Sequence, residues 1–172
     1  ELRDWLVLSP FAPPIDGTLS GNAKINFNEQ YYWGDCCIRV DRMSYGKKLV
    51  GNLDFDAKLA MTDDATKTYA LADMELDGKE IMTLRGMKND SLPTSEYNLD
   101  IAIKRLPLSR VSAFLPDGTG DMSGYLNGSM KVVGPEANPS INGYLQFDTA
   151  QVRIQNYGSA LTFDGRRLPV DH

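Results

Sequence analysis

Apolar and polar residues alternate with a period of two through most of this chain, the pattern of half-buried strands. It is clearest where Leu53, Phe55, Ala57, Leu59 and Met61 alternate with Asn52, Asp54, Asp56, Lys58 and Ala60. That stretch belongs to a strand expected over 48–61. Other strands are expected over 15–27, 37–43, 68–76, 80–85, from 97 to about 103, 122–132, 141–147, 150–154 and 160–163. Asp77-Gly78 reads as a hairpin turn, Thr62 to Thr66 as a turn and Lys88 to Ser95 as a polar loop. Two places have a spacing of three instead. Leu2, Trp5 and Leu8 form one apolar stripe, stopped by Pro10, and Leu108, Val111 and Phe114 form another, stopped by Pro116. The pattern predicts a nearly all-β chain punctuated by two short amphipathic helices.

Three strands carry one signature: Ile15-x-Gly17-x-Leu19, Met122-x-Gly124-x-Leu126 and Ile141-x-Gly143-x-Leu145. Alternation puts all three signature residues on one strand face. That face is apolar but low at the glycine, where another backbone or a ligand can approach. The other face carries Asp16, Thr18, Ser123, Tyr125, Asn127, Asn142, Tyr144 and Gln146. The order short helix, breaker, long strand occurs twice, at residues 1–27 and 106–132, with Gly21 matching Gly128, Lys24 matching Lys131 and Ile25 matching Val132. An internal repeat of this kind predicts an elongated array. A closed β-sandwich core would use the same alternation, so the apolar face has two readings at this point.

Composition narrows the function classes. The 172 residues fit one domain, and 42% hydrophobic with 24% charged content is that of a folded chain. A net charge of −5, without a basic run, speaks against a nucleic-acid partner. No apolar run approaches the ~18 residues of a membrane-spanning helix. The chain begins at Glu1 without a signal sequence, which reads as an excised piece of something longer. Cys36 and Cys37 are adjacent, so a strand sends them to opposite faces, and no ligand-spaced partner accompanies them.

Candidate catalytic chemistry is thin. The one histidine is the terminal His172, which leaves nucleophile systems without an imidazole base. Asp54 and Asp56 share a strand face and could serve as a carboxylate pair on a carbohydrate. The simpler reading is the solvated side of an amphipathic strand. Asp117-Gly-Thr-Gly-Asp121 partly resembles calcium-binding turns, in a single copy. The expectation is a chain that is not an enzyme and uses no cofactor or metal.

From Ile103 onward the sequence resembles the C-terminal domain of the TamB family (translocation and assembly module, AsmA-like) in its Bacteroidetes form. The resemblance is carried by Leu106-Pro107-Leu108 and Pro116, by 122–132 (MSGYLNGSMKV), by 139–150 (PSINGYLQFDTA) and by Leu161-Thr-Phe-Asp164. Leu2-Arg-Asp-Trp-Leu6, Pro10-Phe11 and Ile15-Asp-Gly-Thr-Leu-Ser-Gly21 resemble an earlier repeat of that family. It implies a long sheet folded lengthwise into an open-sided apolar groove, a β-taco, in a periplasmic protein anchored at one end in the inner membrane. It also implies a part in phospholipid transport to the outer membrane and in outer-membrane biogenesis, beside an Omp85-type barrel. The membrane anchor of that family is not in this sequence. On this reading the whole chain, 1–172, is a single fragment of a larger protein, with lipid acyl chains as partners. The expected groove lining is Leu53, Phe55, Leu59, Leu126, Met130, Val132, Leu145 and Phe147. Two other readings stand beside it. One is a chaperone-like module that pairs its strand edges with outer-membrane proteins during assembly and secretion; the other is the carbohydrate site at Asp54 and Asp56. Unprotected sheet edges also leave room for a strand-edge homodimer.

Overall fold

The computed structural model describes residues 14–27, 32–91, 93–115, 120–153, 160–163 and 165–171. Ten strands form one open antiparallel sheet: β1 (Ile15–Phe27), β2 (Tyr32–Tyr45), β3 (Lys48–Met61), β4 (Lys67–Leu76), β5 (Lys79–Asn89), β6 (Glu96–Pro107), β7 (Asp121–Pro135), β8 (Ser140–Arg153), β9 (Ala160–Phe163) and β10 (Arg167–Asp171). The first eight lie side by side in sequence order, and both β9 and β10 pair with the outer edge of β8. Such a meander needs tight turns, and Gly46-Lys47 and Asp77-Gly78 supply two of them. Gly46, Asp77 and Gly78 take the left-handed backbone that hairpin turns require.

The chain exposes 11587 Å², whereas a compact monomer of its mass exposes about 8,400 Å². No large side chain is fully buried among the described residues. Among the described residues the alternation therefore builds one layer rather than the two of a closed sandwich. A small core does form at one end. Helix α1 (Leu108–Val111) and the 3₁₀ turn Ser112–Phe114 pack on β2, β3 and β7. Beneath them Val50, Leu76, Ile81 and Ala113 cluster, joined by Met43, Tyr45, Leu53, Met74 and Leu106.

The helix differs from its sequence expectation. Leu108 is buried, but Phe114 is an exposed residue whose ring lies 5.2 Å from Tyr45. The α-helical part lasts four residues, and Ala113, in the 3₁₀ turn, takes the buried position instead. The first expected helix, residues 2–8, lies outside the described residues. So does most of the Asp117 to Asp121 turn. Among the described residues no helix is long and apolar enough to cross a membrane.

One feature repeats in strand after strand at the same level. Register breaks fall between Asp16 and Thr18, Val40 and Met43, Met74 and Glu75, Ile103 and Leu106, and Ser123 and Tyr125. All lie beside the row Leu19–Val40–Leu53–Leu76 or beside Leu106–Leu126–Phe147. Arg42, Arg105 and Thr149 have left-handed backbone there. Side chains take over some of the interrupted ladder bonds. The Arg42 amide donates to Asn52 Oδ1 at 2.9 Å, the Asn52 amide to Asp77 Oδ1 at 2.8 Å, and the Arg105 amide to Asn127 Oδ1 at 2.8 Å. A bulge bends and twists its strand. Bulges aligned at one level separate the sheet into a long field of regular pairing and a shorter end carrying α1.

Candidate functional site: one apolar face

Residues directly opposite in an antiparallel pair share a face, so the register can be followed from strand to strand. Starting at Phe55, the row is Gly21, Ile38, Phe55, Met74, Met82, Ile103, Gly128, Leu145 and Leu168. The next row is Ala23, Cys36, Ala57, Ala72, Leu84, Ile101, Met130, Gly143 and Val170. Both cross nine strands without one ionisable carboxylate or amine. At ~4.8 Å per strand each row is roughly 38 Å long.

The opposite face has other chemistry. Its cross-strand contacts include Arg39–Asp54 at 2.5 Å, Arg85–Asp73 at 2.9 Å, Arg105–Asp148 at 3.3 Å and Lys131–Asp100 at 3.5 Å. Lys104 also pairs with Glu80. The guanidinium groups of Arg105 and Arg167 lie 4.1 and 4.3 Å over the rings of Tyr125 and Tyr144. These are pairs of a solvated surface. Asp54, one half of the candidate carboxylate pair, is committed to Arg39, whose pKa it holds above the ordinary arginine value. Asp56 accepts from the Cys37 thiol and raises its pKa.

All eight expected lining residues fall on the apolar face. Leu53, Phe55 and Leu59 alternate along β3, Leu126, Met130 and Val132 along β7, and Leu145 and Phe147 along β8. They are not gathered at one cavity. An apolar concavity of about 340 Å³ lies on β1 to β5, and Leu59 alone of the eight borders it. That volume is at the lower end of the roughly 300–1,000 Å³ of small-ligand pockets. Its floor is Ala23, Gly34, Cys36, Ala57, Ala70 and Ala72, with Ile25 and Leu84 beside them. These small residues were missed because alanine, glycine and cysteine add little to an apolar alternation. The signal that finds them is register, which stacks them on neighbouring strands. At the far end of the sheet, Phe147 stacks on Phe163 of β9, ring centroids 5.0 Å apart.

The glycines of the apolar face prove to be places of close backbone approach within the sheet. A Cβ at Gly143 would lie 2.1 Å from the Ser129 carbonyl oxygen, and one at Gly86 would lie 2.2 Å from that of Asn98. Cys36 and Cys37 do point to opposite faces: Cys36 opposes Ala23 and Ala57, whereas Cys37 opposes Asn22 and Asp56. No group of acidic, histidine and cysteine side chains suited to a metal ion occurs among the described residues. Comparison of the chain with protein-family models, with curated proteins and with solved structures finds no match.

Proposed function

We propose that this chain is a periplasmic module of the TamB type, part of a larger protein held at the inner membrane. Its apolar face folds along the line of bulges into a groove that shields lipid acyl chains on their way to the outer membrane. The observation that carries this reading is the pair of apolar rows crossing nine strands, on which, among the described residues, only Met74 joins the core cluster under α1. A soluble chain rarely leaves a contiguous apolar patch of that extent without a ligand or partner for it.

The chemistry required is modest. Each CH₂ removed from water stabilises a bound acyl chain by about 0.8 kcal/mol. A row perpendicular to the strands offers apolar surface on each strand in turn, so an acyl chain moving along it meets no carboxylate or amine. Headgroups remain in water at the open side, and the ion pairs of the outer face keep the wall solvated. No covalent step is needed, and an Omp85-type barrel would receive the cargo or work beside it.

The test is native mass spectrometry of the protein purified from cells, followed by organic extraction. Phospholipid or fatty acid in stoichiometric amount is the expected result. A lipid-free protein that also fails to bind a fluorescent fatty acid would contradict the proposal. Leu126→Lys or Leu145→Lys, in a variant that still folds, is expected to weaken that binding.

A further inference from the structure

The pairing of β1 with β2 and that of β7 with β8 are the same, displaced by 107 residues. Thr18 opposes Asp41 and Tyr125 opposes Asp148; Asp16 opposes Ser44 and Ser123 opposes Gln151. The correspondence runs out to Asn26 with Trp33 and Val133 with Ser140. Both pairs break register at the equivalent glycine, and Gly17 and Gly124 have φ of 146° and 89°. The bulged partners match as well, with φ of 52° at Arg42 and 49° at Thr149. A hairpin of unrelated origin would have no reason to reproduce both the register and its interruption. The sequence similarity of the two first strands is thus part of a two-strand unit.

The units differ in one neighbour. β7 lies between β8 and β6, while among the described residues β1 pairs with β2 alone. Leu19, Ile25 and Phe27 of β1 are 46%, 74% and 81% exposed, whereas their equivalents Leu126, Val132 and Gly134 are half-buried. β1 is thirteen residues long and has no proline or bulge between Leu19 and Phe27 to blunt its edge.

From this equivalence we infer that the outer edge of β1 is a docking site for one antiparallel polypeptide strand built like β6. The register is set by β6 on β7, where Leu99, Ile101, Ile103 and Leu106 oppose Val132, Met130, Gly128 and Leu126. Shifted by 107 residues, the incoming strand places apolar residues opposite Ile25, Ala23, Gly21 and Leu19. Its other residues face the side of Lys24 and Asn22. Main-chain bonds supply the attachment and the alternation selects the register, the mode of β-augmentation. The apolar rows then continue by one strand. This inference does not depend on the lipid reading, since it concerns the edge and not the face.

A labelled peptide of residues 96–107 tests it directly, titrated into the full chain and followed by fluorescence anisotropy. A control peptide exchanges Leu99, Ile101 and Ile103 with the residue that follows each, Asp100, Ala102 and Lys104. Because a single strand in trans binds weakly, the same twelve residues are also fused ahead of Glu1, and backbone hydrogen exchange is measured on β1. The expected result is saturable binding of the native peptide above the control. In the fused protein, exchange should slow at those alternate β1 amides that β2 does not bond. Unchanged β1 exchange in the fused protein overturns the inference, as does equal protection by the control sequence. A symmetric β1–β1 dimer that excludes the fused strand overturns it too.

Discussion

The two sides of the line of bulges obey different rules. On the shorter side α1 covers Val50, Leu76 and Ile81, and the side chains there interlock as in any small core. On the longer side the residues are equally apolar, yet Ile38 and Leu59 remain exposed and alanine, glycine and cysteine form the floor of the concavity. Hydrophobicity alone does not distinguish the two regions. What separates them is whether the described chain supplies a second layer, and it does so at one end only. The covered end is built to hold the sheet together, and the open field is left available.

That contrast can be broken most severely at the covered end. Leu108→Ala, at a residue 2% exposed, is expected to cost about 2–5 kcal/mol in chemical denaturation, as large-to-small changes in cores do. Gly143→Ala should cost less, on the order of 1–3 kcal/mol. Its Cβ would meet the Ser129 carbonyl and force β7 from β8, which loss of exchange protection in those two strands would report. Leu59→Lys sharpens the comparison from the open side. Stability should stay within about 0.5 kcal/mol of the parent, while fluorescent fatty-acid binding falls. A large loss of stability there would mean that the open field is core after all.

The smallest effect belongs to the polar turn between β3 and β4. Asp64 accepts from the hydroxyls of Thr62 and Thr66 and from the Thr66 amide, at 2.6, 2.7 and 3.1 Å. These bonds lower its pKa from 3.8 to about 2. A depressed carboxylate pKa contributes stability above the unfolded value, and that contribution is lost as pH falls through the folded one. Asp64→Asn should therefore lower stability slightly near neutrality, by an amount that is constant above about pH 5 and fades as pH falls from about 4 towards 2. A difference that persists undiminished at pH 2 would contradict the assignment.

Strand existence was legible from alternation, and the reasons for the misses are local. The bounds of β1 and β3 agree with those expected, since their bulges at Gly17 and Gly51 do not end the pairing. β2 begins at Tyr32 instead of the expected Cys37, since Gly34 stands at an apolar-face position without an apolar side chain. β8 is one strand of fourteen residues where two were expected, because the bulge at Thr149 resets the alternation without ending the pairing. β10 went unseen: it is five residues long and contains Pro169, which alternation reads as a breaker. The apolar face was readable in the same way, residue by residue along each strand. The cavity was not, since it arises where small side chains on β1 to β5 meet, and only cross-strand register brings them together.

The adjacent cysteines offer the most direct measurement of the central claim, because one thiol reports each face. Cys36 borders the apolar concavity, whereas Cys37 is exposed on the polar face, its thiol pKa raised by Asp56. Alkylation rates would be measured for Cys36 in a Cys37→Ser variant and for Cys37 in a Cys36→Ser variant, with and without fatty acid. At ~10 times the dissociation constant the free fraction falls to about a tenth. Cys36 should then react about tenfold more slowly, with the rate at Cys37 unchanged. A Cys36 that reacts at the same rate under saturating fatty acid would show that acyl chains do not lie on this face.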